Sequence, residues 1–140
     1  LTADVWRQIE SFAGYAFAKG HSASYAVESY QSLFLKTYFP LEFMVAVLNN
    51  GGGFYSTEFY VHEARMQGAT VIAPQLNKSE YLAHIEGDII YLGFNLVKEL
   101  EEGTIWTILK ERQKADFTSV ENLVKRVPIS LDQLTLLIRV

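Results

Sequence analysis

A mainly α-helical chain with one small β-hairpin is what this sequence predicts, and three observations carry that reading. Apolar residues recur at helical spacing through most of the 140 residues. Ser or Thr stands just before several of these runs, where a helix cap belongs. Only one tight-turn signature, Glu86-Gly-Asp88, lies between two short apolar runs, Tyr81 to Ile85 and Ile89 to Leu92.

Val5, Ile9, Phe12 and Ala16 follow a helical period with Thr2 as cap, which predicts a first helix to about Ala18. The Lys19-Gly20-His21 joint is expected to break it. From Ser22 to Phe39, Val27, Tyr30, Phe34, Leu35 and Tyr38 predict a second helix, ended by Pro40. Leu41 to Leu48 is apolar nearly all round and reads as a short buried helix. Asn49-Asn-Gly-Gly-Gly53 is a loop; no strand precedes it and no Gly-Lys-Ser/Thr follows, so its glycines do not make a phosphate cradle. Tyr55 to Gln67 predicts a helix stopped by Gly68. Thr70-Val-Ile-Ala then leads into Pro74 and the hairpin, and after Gly93 the pattern is helical again over Thr104 to Lys114, Ser119 to Val127 and Leu131 onward. Thr118 with Glu121, and Ser130 with Gln133, have capping-box spacing.

Composition narrows the function classes. Hydrophobic residues make up 49% and charged residues 20%, which is globular rather than disordered. With no cysteine, disulfides and thiolate metal sites are excluded. The three histidines, His21, His62 and His84, have no ligand spacing, so no metal site is expected. No apolar run reaches the roughly 18 residues of a membrane span, and a cytoplasmic, membrane-free protein is the default expectation. The net charge of -4 speaks against a surface that grips nucleic acid everywhere. Residues 1–97 carry 5 basic and 9 acidic side chains and residues 98–140 carry 7 of each, so a basic face is expected only in the last third. The opening Leu1 and the apolar end Leu-Leu-Ile-Arg-Val140 are those expected of a piece of a longer polypeptide.

The most informative stretch is Phe12-Ala-Gly-Tyr-Ala-Phe-Ala-Lys-Gly-His-Ser-Ala-Ser-Tyr-Ala26. Lys19 and His21 flank the expected start of the second helix, and Ser22 falls at the N-cap. Two potential cations beside unpaired N–H groups make the physics of an anion site. Ser22, Tyr25 and Ser29 recur at helical spacing and place hydroxyls on one face. A capped helix whose histidine is only a solvated neighbour fits the same residues.

That stretch, with Ser29-Tyr30-Gln31, Leu35-Lys36, Tyr38, Pro40 and Glu42-Phe43-Met44, resembles the bacterial C-family replicative DNA polymerases, the DNA polymerase III alpha subunits. Their pattern here runs F-A-x-Y-G-F-N-K-S-H-S-A-x-Y-A, then S-Y-Q, L-K and P-x-E-F-M. Glu63-Ala-Arg-Met-Gln-Gly68 resembles E-x-x-R-M-G, and Ala73-Pro-Gln-Leu-Asn-Lys-Ser79 resembles P-P-D-V-N-x-S. Ala18, Gly20 and Gln75 depart from the family's Asn, Ser and Asp. The resemblance implies a helical fingers segment, a small β-hairpin and a helix-hairpin-helix-like α domain. It also implies nucleotide-binding roles near the incoming triphosphate for Lys19, His21, Ser22 and Tyr25.

Gly93-Phe-Asn-Leu-Val-Lys-Glu-Leu-Glu-Glu-Gly-Thr-Ile-Trp-Thr-Ile-Leu-Lys-Glu-Arg112 resembles the family's G-x-x-x-I-K-G-V-G-E-x-x-x-x-x-I-x-x-x-R, a helix-hairpin-helix element. In such elements glycines let backbone N–H groups approach DNA phosphates. Glu99 and Glu101 stand where the two hairpin glycines belong, which predicts a degenerate hairpin that packs as structure. DNA contacts by Lys98, Gly103, Lys110, Arg112 and Lys114 are what the resemblance implies. The organisation expected is a fingers-type segment over 1–50, a loop and connecting helix over 51–68, and the β-hairpin with a tandem helix-hairpin-helix region over 69–140.

Nucleotidyl transfer by two metal ions needs clustered carboxylates, and Asp4, Asp88, Asp116 and Asp132 are each isolated. No catalytic residue and no cofactor is therefore expected in this chain. The resemblance places the catalytic aspartates and Mg2+ in a palm N-terminal to it. It implies primer-template DNA, a deoxynucleoside triphosphate and other replisome subunits as partners. The alternative reading is a stand-alone helical interaction module derived from the polymerase, without DNA contact.

Overall fold

The computed structural model describes residues 2–16 and 19–140, and the side chains of all of these except 12–16 and 19. The chain divides into two compact units, Leu1–Tyr38 and Phe39–Val140. The first holds helices α1 (Thr2–Ala16) and α2 (Lys19–Tyr38). The expected end of the first helix at Ala18 lies outside the described residues. The second helix starts three residues earlier than its sequence suggests. A single glycine costs a helix only about 1 kcal/mol against alanine, so Gly20 is carried inside α2. Ser22 consequently lies in the first turn and is not its N-cap. None of the unit's described side chains is buried, and Trp6, Tyr30, Leu33 and Tyr38 each expose more than 60% of their surface.

In the second unit Pro40 opens α3 (Pro40–Asn49), where its missing N–H costs nothing. Met44 and Leu48, one turn apart, are buried at 2% and 3%. The chain then turns through Gly51 and Gly52 at φ +79° and +72°. A Cβ on Gly52 would sit 2.4 Å from the Tyr60 ring, so this turn needs glycine for close approach as well as for φ. Helix α4 (Thr57–Met66) is capped by Ser56, whose hydroxyl accepts from the Phe59 N–H, and it ends at Gly68 with φ +96°.

Three short strands follow: β1 (Thr70–Ile72), β2 (His84–Glu86) and β3 (Ile89–Tyr91), in the order β1-β3-β2. The expected hairpin is β2 and β3, antiparallel, with Glu86 opposite Ile89 and a positive φ of +61° at Gly87. β1 adds to β3 in parallel, Val71 beside Ile90, a pairing the local sequence does not announce. Ile90, fully buried, joins Met44, Leu48, Ala64 and Ala69 in one core. A second core gathers Phe94, Ile105, Ile108, Leu109, Phe117, Leu123 and Val127. Its elements are a 3-10 turn (Phe94–Leu96), α5 (Glu102–Arg112), α6 (Val120–Arg126) and α7 (Leu131–Arg139). Each fully buried side chain of this size contributes ~1.5 to 3 kcal/mol. The cap of α6 is Ser119, whose hydroxyl accepts from the Asn122 N–H, and not Thr118 as the spacing suggested; Ser119 is the residue with extended backbone, φ -161° and ψ 169°.

Neutral carboxamides tie distant backbone segments together. Asn49 accepts from the Ala83 N–H and donates to the Ala83 carbonyl, both at 2.8 Å. Asn77 does the same to Phe117, at 2.8 and 2.9 Å. Each pair of bonds imitates one rung of a β-ladder.

Candidate nucleic-acid interface

The helix-hairpin-helix segment folds as a hairpin despite its substitutions. The 3-10 turn leads through Val97 and Lys98 to Glu99, whose φ of +65° makes it the one non-glycine residue with positive φ among the described residues. A left-handed conformation costs a side-chain-bearing residue about 1 to 2 kcal/mol, so the hairpin keeps the backbone shape that glycine would hold without strain. Leu100 turns inward against the second core, and Glu101 precedes α5 without giving it a side-chain cap.

The backbone of this hairpin is already engaged. Gln133, 7% exposed on α7, accepts from the Glu101 N–H at 2.7 Å and donates to the Glu99 carbonyl at 2.8 Å. The capping-box spacing of Ser130 and Gln133 predicted a side chain reaching back to Ser130. The Ser130 hydroxyl does accept from the Gln133 N–H, at 3.3 Å, but the amide goes to the hairpin instead. The sequence signal that could have pointed to Gln133 is its place one turn before Leu137, on the inward face of an amphipathic helix.

The basic residues of the region divide into two kinds. Lys98 and Lys110 are exposed and make no ion pair among the described residues, and Gly103, in the first turn of α5, faces open space. Arg112 is turned into the fold, donating to the carbonyls of Leu76 (3.2 Å) and Ser79 (2.6 Å) and to the Glu80 carboxylate (2.5 Å). Lys114 pairs with Glu111 at 2.5 Å. The Lys114 hydrogen bond holds the Glu111 carboxyl below the usual carboxylate range against its desolvation, with the charges of Lys114 and Arg126 adding to the effect. Arg126 lies over the Phe117 ring at 4.4 Å and donates to the carbonyls of Glu111, Ala115 and Asp116. Hydrogen bonds from the Ser119 hydroxyl and from its own backbone N–H likewise lower the Glu121 carboxyl.

At the start of α2, His21 and Tyr25 stand one turn apart with ring centroids 6.5 Å from each other, and Ser22 lies beside them, half-buried. The first turn carries no acidic residue. The Lys19 side chain lies outside the described residues. Among the described residues no group of three or more His, Asp or Glu is arranged to hold a metal ion, and no helix is long and apolar enough to cross a membrane.

Comparison with known proteins gives these features a context. Residues 68–140 match the helix-hairpin-helix motif family. DNA polymerase III subunit alpha of Vibrio cholerae is 39% identical over 122 residues, which is 84% of this chain and 10% of that protein. The Escherichia coli K12 subunit is 37% identical with the same two coverages. The Helicobacter pylori J99 subunit is 34% identical over 139 residues, 91% of this chain and 11% of that one. The chain thus spans about a tenth of the length of the curated relatives it matches. Residues 68–140 belong to the helix-hairpin-helix motif family, and the chain as a whole is a segment of the bacterial DNA polymerase III alpha-subunit family.

Proposed function

We propose that this chain serves a replicative DNA polymerase by holding the incoming nucleotide's triphosphate at the start of α2 and by supporting duplex DNA with its helix-hairpin-helix region. The observation that carries the reading is the similarity to alpha subunits over 84 to 91% of the chain. The unpaired N–H groups of the first turn of α2 favour an anion, and no carboxylate in that turn opposes it. Lys19 and an imidazole N–H of His21 supply charge-assisted bonds to anionic phosphate oxygens, and the hydroxyls of Ser22 and Tyr25 donate alongside them. On the DNA side, Lys98 and Lys110 are exposed cations without an ion pair among the described residues, with Gly103 permitting close approach, while Lys114 is exposed but paired with Glu111 and Arg112 acts mainly inside the fold.

The chemical step belongs to another part of the polymerase, where clustered aspartates hold Mg2+; this chain supplies substrate contacts and is inactive alone. Its working partners are primer-template DNA, a deoxynucleoside triphosphate and other replisome subunits, in the bacterial cytoplasm. The Gln133 bonds to the hairpin favour a second reading for residues 93–140, an interaction module that has given up DNA contact.

In the intact polymerase, Lys19→Ala and His21→Ala each remove a charge-assisted contact of ~1.5 to 3 kcal/mol, roughly a tenfold to hundredfold loss in nucleotide use, with primer-template affinity unchanged. Single-turnover kinetics with normal nucleotide use in both variants sinks the triphosphate role.

A further inference from the structure

We infer that Gln133 is a built-in occupant of the hairpin's phosphate seat, and that its amide, with the two glutamates, closes this hairpin to DNA. The inference rests on the proposal above and narrows it: duplex support is left to the exposed Lys98 and Lys110, and the hairpin's backbone N–H groups, the donors that a helix-hairpin-helix element offers to phosphates, are taken out of use.

A phosphate oxygen approaching the hairpin needs an unpaired N–H. The Glu101 N–H, at the second of the two positions where the family carries glycine, already points at the Gln133 Oε1 at 2.7 Å. The same side chain donates to the Glu99 carbonyl at 2.8 Å, so the amide spans the turn with one acceptor and one donor. Both of its polar ends are satisfied, and it is buried to 7% exposure. Displacing it leaves a buried amide and a carbonyl without partners, a larger loss than one bond to phosphate returns. A phosphate offers acceptors only and cannot serve the Glu99 carbonyl. The recess beside the amide is lined by Glu99, Asp132, Thr135, Leu136 and Arg139, two carboxylates against one cation. The left-handed Glu99 shows that the turn itself survives, so the hairpin is closed by occupancy and charge and not by collapse.

Restoring glycine at 99 and 101 therefore removes repulsion and strain but does not free the seat. Hydrogen exchange at amide 101 is the first readout: it stays protected in Glu99→Gly/Glu101→Gly, and free exchange there overturns the inference. Gln133→Met, similar in length without polar ends, frees the donor when added to the two glycine substitutions. Fluorescence anisotropy on a short labelled duplex then gives about tenfold tighter binding than the glycine pair alone. The extra gain has an unchanged salt slope, because a neutral N–H releases no counterion. Equal affinity with and without Gln133→Met overturns the inference, provided thermal melts show both variants folded; for an unfolded Met variant the exchange measurement decides. NMR titration with the same duplex separates the two claims. Shifts elsewhere with amide 101 still in the freed variant sink the seat alone, and no shifts in any variant sink the DNA-contact reading with it.

Discussion

Leu1–Tyr38 and Phe39–Val140 have comparable apolar content to bury and use it in opposite ways. Within the first unit no described side chain is buried, and Trp6, Tyr30, Leu33 and Tyr38 face outward. The second unit builds two cores around Ile90 and Ile108, each fully enclosed. Helical periodicity is present in both, so periodicity alone does not make a stable body. The second unit also has strands and polar ties that bring segments far apart in sequence onto one another, and these turn amphipathic helices into a core.

The largest expected difference comes from separating the two. Residues 39–140 alone should melt cooperatively by circular dichroism, while residues 1–38 alone should be mostly unfolded in water, since helices of 15 and 20 residues without burial are marginal. A cooperative melt of the short piece breaks the comparison. Next, Ile108→Ala should cost ~2 to 5 kcal/mol in denaturant unfolding, against less than about 0.5 for Phe34→Ala on α2, whose ring is 45% exposed. Similar costs at the two sites would mean that α2 is buried after all. Arg112→Ala should cost about 2 kcal/mol, because the carbonyls of Leu76 and Ser79 lose a charged donor. Its effect on duplex binding should be small, and a large loss of DNA affinity without loss of stability would return Arg112 to the interface.

The smallest effect concerns acid. Glu111 is held below its ordinary value of 4.5 by Lys114 first and Arg126 after it, so it binds protons more readily in the unfolded chain. Its contribution is fully present above that value and is lost as pH falls through the lower folded one. Glu111→Gln should therefore show a smaller drop in melting temperature between neutral and strongly acid solution than the parent. An unchanged drop would mean that this ion pair does not couple to folding.

Helices α3 to α7 were legible because their apolar spacing and glycine stops act within a turn or two of sequence. The hairpin of β2 and β3 was legible for the same reason, through Gly87. The partner of β1 was not: Val71 meets Ile90 only after the intervening segment has folded, and a parallel pairing leaves no local turn signature. Thr118 and Ser119 are both good caps by type, and the backbone at 119 decides between them. Gly20 looked like a break because its helical cost was weighed without the residues around it. At the interface, Lys98 and Lys110 were readable as cations, but whether Arg112 faces solvent depends on where the 76–80 backbone lies. Gln133 was readable as a capping residue, and its bond to the hairpin depends on packing that no spacing encodes.

The carboxamide ties of Asn49, Asn77 and Gln133 carry no charge in any ordinary buffer. Ionic strength therefore leaves these three ties nearly untouched, while it weakens partly exposed ion pairs such as Arg112 with Glu80 and screens every contact that exposed lysines make with a polyanion. A salt series on this protein consequently reads its exposed cations far more than these neutral ties, and the three amides serve as an internal control from dilute to concentrated salt.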